Sequence, residues 1–376
     1  MRSRSGRLLV AILVGLATAL IPGPASAAPG VSVVATGFSS PRGVTLFHGH
    51  LLVAEAGTGG PYCDAAPPNM SICIGRTAQI SSVNLADGSH TPLVSGLFSA
   101  TEFHGGPPEA LGSEGLSVSD GRVLNILGVY PEAFGDIHCA PANADCALTL
   151  ATAKAQAGHL ISVGANGSWQ SVASVGSFDF NWTAGKPNQE HDANPYGVLA
   201  AEDGAYVVDA GSNTLDFVSE RGNIAVRNYF PFQQNGFPSD EVPTCVARTD
   251  DALWVASLSG HLYRVHGGGA TLVAMPLLKH VTGCTAGENG ALYLVNMWTN
   301  DGPPTPFSGN VVQFKPDEGT SSVVAGHLDF PNMITAGGEH TLYVSADSIC
   351  PATGFPRLCP KGGSVLKITV AGGGED

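Results

Sequence analysis

One four-strand pattern occurs six times along the chain, and this repeat constrains the fold more than any other sequence feature. Each unit opens on a short segment that is often rich in Pro and Gly, and a second apolar strand follows after a tight turn. The opening segments begin at Pro41, Ser113, Pro195, Pro243, Thr282 and Pro331. The second strands lie at 51–57, 123–128, 205–211, 253–258, 292–297 and 342–347. Regular recurrence of one supersecondary unit predicts a repeat architecture.

Two further strands complete each unit, with alternating polar and apolar residues. Third strands are predicted at 77–83, 159–163, 214–218, 261–265, 310–314 and 364–368, and fourth strands at 91–97, 171–178, 225–230, 271–275 and 322–328. The sixth unit has no fourth strand of its own, and residues 32–38 resemble the other fourth strands. The sequence therefore predicts an all-β fold, a six-bladed β-propeller whose N-terminal strand closes the last blade. Its blades start near residues 41, 114, 194, 242, 281 and 331, within one domain spanning 28–376.

Composition agrees with a fold of many short strands. The chain has 49 Gly and 26 Pro, and its charged fraction of 13% is well below the average of about 25%. The formal net charge of −14 argues against nucleic acid as a partner, because binding phosphates requires basic patches.

The first 27 residues have the pattern of a signal peptide. Arg2, Arg4 and Arg7 precede an apolar run from Leu8 to Leu20, and small residues follow at 25–27. The apolar run is short for a membrane span. We therefore expect a secreted or extracytoplasmic protein with no membrane insertion after signal cleavage.

The eight cysteines form an even set, as expected of an exported chain in an oxidising compartment. Three pairs are close in sequence, and Cys245 and Cys284 start the innermost strands of neighbouring units. The predicted disulfides are Cys63–Cys73, Cys139–Cys146, Cys245–Cys284 and Cys350–Cys359. The spacing does not fit a zinc site.

All long insertions fall between second and third strands or between successive units. They span 57–75, 99–113, 129–157, 181–193, 298–308 and 348–362. In an up-and-down meander these connections emerge at one end of every blade, which we call the loop-rich face. Loops on a rigid scaffold are common positions for binding residues, so we expect a functional surface there.

Four segments together resemble the ScyD/ScyE family of exported bacterial β-propellers. They are VVATGFSSPRGV (33–44), EAGTGGPYC (55–63), ANPYGVLA (193–200) with YVVDAGSNTL (206–215), and VPTCVA (242–247). The resemblance spans the mature chain and implies NHL-like or SMP-30-like blades and an accessory role outside the cytoplasm. It implies no known reaction.

The start of each innermost strand should lie at the mouth of the central channel. These positions are predicted to be Arg42, Glu114, Tyr196, Thr244, Gly283 and Asn332. Arg42 is suited to an anionic group and Tyr196 to a flat apolar wall with a polar tip. We predict a ligand site at Arg42, Glu114, Tyr196 and Asn332, with Glu55 and Asp209 nearby. A salt bridge between Arg42 and Glu114 is an alternative.

A second polar set lies at the ends of the second strands: Glu55, Asp209, Asn296 and Asp347. We favour the interpretation that each side chain caps its own turn. A weak Ca²⁺ site is the alternative.

Three functions remain open. The leading one is a monomeric binding or accessory protein without catalysis, whose partner is a small ligand or an extracytoplasmic protein. The second is a Ca-dependent lactonase or esterase of the gluconolactonase type, with Glu114 and Asn332 as metal ligands. The third is an envelope scaffold without a small ligand. No cofactor is predicted with the first function, and Ca²⁺ accompanies the second.

Overall fold

A computed structural model describes residues 30–67, 71–103, 108–119, 121–187, 189–231, 240–287, 290–338 and 340–370. These residues form six antiparallel sheets arranged as blades around one axis. Each innermost strand lies beside the innermost strands of the two neighbouring blades, and the sixth blade contacts the first. The predicted six-bladed β-propeller is confirmed. The predicted signal peptide lies outside the described residues.

The N-terminal strand closes the ring as predicted. Strand β1 (Val31–Phe38) pairs antiparallel with the last strand of the chain. Blade 1 then contains β2 (Pro41–Phe47), β3 (His50–Glu55), β4 (Tyr62–Cys63), β5 (Ile72–Val83), β6 (His90–Glu102) and β7 (Glu109–Leu111). Blade 2 contains β8 (Ser113–Ser119), β9 (Arg122–Leu127), β10 (His159–Val163) and β11 (Trp169–Ser174).

The other four blades have four strands each. Blade 3 contains β12 (Pro195–Ala201), β13 (Gly204–Asp209), β14 (Thr214–Ser219) and β15 (Ile224–Tyr229). Blade 4 contains β16 (Pro243–Arg248), β17 (Leu253–Ser257), β18 (Leu262–His266) and β19 (Gly269–Val273). Blade 5 contains β20 (Val281–Ala286), β21 (Leu292–Asn296), β22 (Gly309–Lys315) and β23 (Thr320–Leu328). Blade 6 contains β24 (Ile334–Ala336), β25 (Thr341–Ala346) and β26 (Gly363–Thr369), with β1 outermost.

In the part of the chain that the structure describes, two helices and one 3-10 turn interrupt the strands. The 3-10 turn (Pro131–Phe134) and α1 (Ala144–Gln156) lie in the insertion between β9 and β10, and α2 (Val175–Thr183) follows β11. The prediction of a strand through residue 178 is therefore wrong at its end. Val175, Asp179 and Thr183 are all buried, and their spacing of four residues places them on one face of a helix. Within the described residues no helix is long and apolar enough to cross a membrane.

The hydrophobic core consists of six layers, one between each pair of neighbouring blades. For example, the layer between blades 3 and 4 contains Val208, Leu215, Val246 and Val255. A seventh cluster covers the loop-rich end of blades 1 and 2, where the ring of Phe134 packs at 5.2 Å from that of Phe98. Each blade therefore buries its two faces against its neighbours, which explains how one closed ring of this size holds together.

Close approach of the innermost strands depends on glycine. A Cβ atom on Gly43 would lie 2.5 Å from the Leu116 nitrogen of the next blade, and one on Gly115 would lie 2.9 Å from the Tyr196 oxygen. These distances leave no room for a side chain between backbones. The glycine in the repeated opening segment is thus required by packing around the channel.

All four predicted disulfides are confirmed, and together they use all eight cysteines. Cys245 and Cys284 join the innermost strands of blades 4 and 5, with their Cα atoms 5.7 Å apart. The other three bonds fasten insertions at the loop-rich face. Four disulfides indicate a protein that matures outside the reducing cytoplasm.

Candidate functional site

The six residues that open the innermost strands meet at the loop-rich end of the channel, with one correction in blade 5. Val281 pairs with Asn296 as Pro195 pairs with Asp209, so Thr282 rather than Gly283 is equivalent to Tyr196. The opening segment of blade 5 begins with Val281 where four other blades have Pro. Without that Pro, the sequence alignment of this blade was shifted by one residue. Cys284 is accordingly one position beyond the equivalent of Cys245.

The two threonines of this ring are used to join blades. The Thr244 hydroxyl donates to the Val281 carbonyl at 2.7 Å, and the Thr282 hydroxyl donates to the Asn332 carbonyl at 2.9 Å. Both threonines are buried. Their hydroxyls therefore stabilise the contact between neighbouring innermost strands and do not face a ligand.

Arg42 and Glu114 form a buried ion pair at the mouth. The Arg42 Nε atom lies 3.1 Å from Oε2 of Glu114, and the two side chains are 6% and 0% exposed. The Arg42 Nη1 and Nη2 groups donate to the carbonyls of Ser348 and Ala110 at 2.9 and 2.8 Å. The Nη1 and Nη2 groups are thus hydrogen-bonded within the protein, whereas Nε faces the Glu114 carboxylate at ion-pair distance without an aligned hydrogen bond. The alternative prediction of a salt bridge is confirmed, and the contact of Arg42 with an anionic ligand stays a prediction.

The charge state of this pair follows from its burial. Burial raises the pKa of Glu114 to about 7, while Arg42 and the Gly112 amide oppose the rise. For Arg42, burial is the largest single effect and lowers the pKa, but Glu114, Tyr196 and Glu109 together raise it more, so the guanidinium stays charged. The carboxylate of Glu109, on β7, adds to the rise in the Glu114 pKa. Glu109 was missed by sequence reasoning because it lies in an insertion.

Tyr196 and Asn332 close the mouth across the axis. They belong to blades 3 and 6, which are opposite each other in a six-bladed ring, and the Asn332 amide nitrogen donates to the Tyr196 hydroxyl at 2.8 Å. The hydroxyl lies 3.0 Å from the amide oxygen. Burial raises the pKa of Tyr196, so the hydroxyl stays protonated. This bridge narrows the channel at the point where a ligand would enter.

A small cavity lies in the channel, enclosed by the innermost strands of all six blades. Its volume is about 40 Å³, which is enough for a few water molecules. Apolar side chains and glycines dominate its lining: Val44, Gly115, Leu116, Gly197, Val198, Thr244, Cys245, Val246, Gly283, Cys284, Met333 and Ile334. The side chains that line this cavity therefore offer few polar groups for a substrate.

The predicted calcium ligands do not form a cation site. Glu114 faces the Arg42 guanidinium, which would repel a cation, and Oε1 of Glu114 accepts from the Gly112 amide at 3.1 Å. The Asn332 side chain is engaged by Tyr196. In the described part of the chain, no group of three or more His, Cys, Asp or Glu side chains is arranged to hold a metal ion. The donor chemistry at Glu114 and Asn332 thus does not fit Ca²⁺.

Glu55 and Asp209 lie inside their own blades. Oε2 of Glu55 accepts from the Ser39 amide at 2.7 Å, and its Oε1 accepts from Gln79 and Ser81 on the next strand. Oδ1 of Asp209 accepts from the amides of Asn194, Gly211 and Ser212. Both residues are 0–1% exposed.

Asn296 and Asp347 occupy the same repeat position and are held in a similar way. Oδ1 of Asn296 accepts from the Lys279 amide, and Oδ2 of Asp347 accepts from Ser364. The favoured interpretation, that each side chain caps its own turn, holds for Asp209, which accepts from Gly211 and Ser212. The contacts of the other three side chains go to different loops or strands. We therefore leave this set out of the ligand-binding surface.

Two carboxyl clusters at this repeat position were missed by sequence reasoning. Asp209 lies with Asp179 of α2 and Asp216 of β14, and Asp347 lies with Asp329. Burial raises the pKa of Asp216 and of Asp329 to about 7. An Asp in the middle of an apolar strand, as in TLDFV (214–218), is the signal that could have indicated the first cluster.

The loop-rich face carries aromatic side chains in addition to the three disulfides. The rings of Tyr130, Phe180 and His191 form one stack, with centroid distances of 4.4 and 3.8 Å. Trp182 packs edge-on against Tyr229, and the Lys186 ammonium lies 3.6 Å from the Trp182 ring centre. This surface also includes a second stacked pair and an exposed ring: Trp298 on His280, and Phe307, which is 48% exposed.

Comparison with known proteins identifies the fold class. No family model and no curated protein matches the sequence. A protein of unknown function from Bacteroides thetaiotaomicron is similar in structure with a TM-score of 0.55 at 11% identity, covering 91% of this chain and 76% of that one. Regucalcin from Agrobacterium tumefaciens, a calcium-binding protein, gives 0.52 at 12% identity over 90% and 92%. A putative gluconolactonase gives 0.51 at 14% over 93% and 94%.

The chain is a six-bladed β-propeller, and the solved structures of similar fold include a putative gluconolactonase and regucalcin. The low identities show likeness of fold alone, because one propeller fold hosts unrelated functions.

Proposed function

We propose that this protein is an exported, monomeric binding module that acts through its loop-rich face without catalysing a reaction, in the manner of an accessory ScyD/ScyE-like propeller. The observation that carries the proposal is the contrast between the two parts of the loop-rich end. The side chains at the channel mouth engage one another in an ion pair and a hydrogen-bonded bridge, whereas the surrounding insertions are fastened by three disulfides and present aromatic rings.

A surface that is rigid and aromatic at once is suited to a partner. Disulfides reduce the conformational freedom that insertions would otherwise lose on binding. Aromatic side chains supply large contact areas at low entropic cost and are common at interface centres. Phe307 and Trp182 are the members of this surface most suited to that role. The partner class that fits is an extracytoplasmic protein or a small ligand with an apolar face.

The few lysines of the chain allow a direct test. Lys186 and Lys361 lie in loop-rich insertions, whereas Lys315 lies at the hairpin between β22 and β23 on the opposite face. The mature protein would be incubated with extracytoplasmic proteins of the source organism, treated with an amine-reactive cross-linker and analysed by mass spectrometry. We expect partner cross-links from Lys186 and Lys361. Cross-links from Lys315 alone would contradict the proposal.

A matched variant sharpens the result. Lys361→Arg should remove the cross-links at position 361 without reducing the total amount of cross-linked partner, which we call partner capture. The double variant Trp182→Ala/Phe307→Ala should reduce partner capture. The same preparation would be assayed on lactones and esters with added Ca²⁺. Turnover that is lost in Glu114→Gln would favour the alternative, a gluconolactonase-type hydrolase.

A further inference from the structure

We infer that Asp179, Asp209 and Asp216 form one proton-sharing carboxyl cluster that fastens helix α2 to blade 3 at acidic pH and loosens it as the pH rises. The three side chains come from α2, β13 and β14, and each residue is 0% exposed. The Asp179 carboxyl faces the carboxyls of both other residues. The cluster is therefore a buried polar contact between the helix and the blade.

Four of the six oxygens of the cluster have no hydrogen-bond donor among the described residues. Among the described residues no hydrogen-bond donor reaches either oxygen of Asp179, Oδ2 of Asp209 or Oδ1 of Asp216. Buried polar atoms are nearly always hydrogen-bonded, and buried charges are compensated. Two carboxyl groups in contact meet this requirement when one proton lies between them, as in paired carboxyls that share a site.

The proton count follows from the contacts. Oδ1 of Asp209 accepts three backbone N–H groups, from Asn194, Gly211 and Ser212, which favours the ionised form of Asp209. Asp179 contacts both Asp209 and Asp216. Each of these two carboxyl–carboxyl contacts needs one shared proton. At acidic pH the three carboxyls thus hold two protons and one negative charge. Raising the pH releases a proton to solvent, and two charges then repel each other in a buried place.

Within the described ranges, no Lys, Arg or His side chain forms an ion pair with these three carboxyls. Their hydrogen-bond donors there are uncharged, namely the three N–H groups above and the Thr214 hydroxyl, which donates to Oδ2 of Asp216 at 2.8 Å. Burial, the largest cause, raises the pKa of all three aspartates, and that of Asp216 to about 7. Because these folded-state values exceed the ordinary value of 3.8, stability of the docked helix is complete at low pH and declines as the pH rises toward about 7.

The consequence reaches the loop-rich face. Helix α2 carries Phe180, stacked between Tyr130 and His191, and Trp182, which packs on Tyr229. Loosening α2 would disperse this aromatic surface. This last step, the control of binding, rests on the proposed function, whereas the cluster itself does not.

Hydrogen–deuterium exchange of the mature, disulfide-intact protein tests the cluster without any partner. Protection of the α2 segment, corrected for intrinsic exchange rates, would be compared between about pH 5.5 and about pH 8. The release of the Asp216 proton alone predicts about a thirtyfold loss of protection, from a docked pKa of about 7 against 3.8 when undocked. The α1 segment serves as the internal reference, because its acidic residue, Asp145, is exposed.

Variants identify the responsible groups. Asp216→Asn and Asp179→Asn should each reduce the ratio between the two pH values to a few-fold, and the exposed Asp203→Asn should keep the wild-type ratio. Far-ultraviolet circular dichroism would confirm that each variant folds. The inference is overturned if protection of the α2 segment in the wild type is the same at both pH values. It is also overturned if both variants keep the wild-type ratio of protection between the two pH values. Protection restored at about pH 8 by millimolar Ca²⁺ also overturns it, since a cation would then hold the carboxyls. Loss of partner capture with an intact pH response would instead contradict only the proposed function.

Discussion

Replacing Arg42 should expose the cost of a buried carboxylate at the channel mouth. In Arg42→Met the Glu114 side chain, 0% exposed, loses its ion-pair partner. Breaking a buried pair from one side costs about 3–5 kcal/mol, because an uncompensated charge remains. The carbonyls of Ser348 and Ala110 also lose their donors, and part of that cost is included in the same figure.

A second substitution, Glu114→Gln, should change the free energy of unfolding in opposite directions in the wild type and in Arg42→Met. Glu114→Gln should destabilise the wild type, because it leaves the Arg42 charge unbalanced. Added to Arg42→Met, it should raise the free energy of unfolding by at least about 1 kcal/mol, because it removes the unbalanced carboxylate. Urea unfolding of the four proteins, monitored by fluorescence, gives the coupling energy directly.

The pH dependence has a definite sign. In the wild type the pKa of Glu114 is about 7 when folded and 4.5 ordinarily, so stability falls as the pH rises between these values. Without Arg42 the folded pKa rises further, and the decline continues to higher pH. The penalty of Arg42→Met should therefore be about 1 kcal/mol larger at about pH 8 than at about pH 5. Equal stability of Arg42→Met and the double variant at about pH 8 would refute the reasoning.

Two further predictions concern bonds between different blades. Replacing Cys245 and Cys284 by Ser should lower the free energy of unfolding by about 4 kcal/mol, because this disulfide closes a loop over a separation of 39 residues. Replacing Cys139 and Cys146 by Ser, at a separation of 7 residues, should have a smaller effect of about 2 kcal/mol in the same thermal melts. The reverse order of the two effects would contradict the loop-closure account. Tyr196→Phe should cost about 1–2 kcal/mol, because the Asn332 amide loses its partner across the axis; an unchanged melting temperature would show that water replaces the hydroxyl without loss.

Much of the fold was predictable because it is repeated. Each unit carries the same order of apolar strands and turn residues, so the pattern can be recognised in several units at once. The β1 closure and the Cys245–Cys284 disulfide followed from this alignment, and the other three disulfides followed from the short spacing of their cysteines. Where a unit departs from the pattern, prediction failed: Val281 stands where Pro opens other units, and α2 replaces the expected end of a strand.

The sequence predicted which residues lie at the channel mouth, but it did not predict which of them contact each other. The repeat placed Arg42, Glu114, Tyr196 and Asn332 at one end of the channel, and the structure brings them together there in two pairs. Which pairs form depends on side-chain reach across the axis, which no spacing along the chain specifies. Glu55 and Asp209 share a repeat position, and only the structure shows that their oxygens face their own blades.

The sequence alone determined the six-bladed ring, its closure, its disulfides and the face that carries the insertions, because these depend on periodic patterns within short stretches of chain. Only the tertiary structure decided that the mouth is closed and that Asp179 meets Asp209 and Asp216. The physical reason is that such contacts join residues from separate elements inside a low-dielectric interior. There the energy of a charge depends on which groups lie within a few ångströms, and not on their order in the chain.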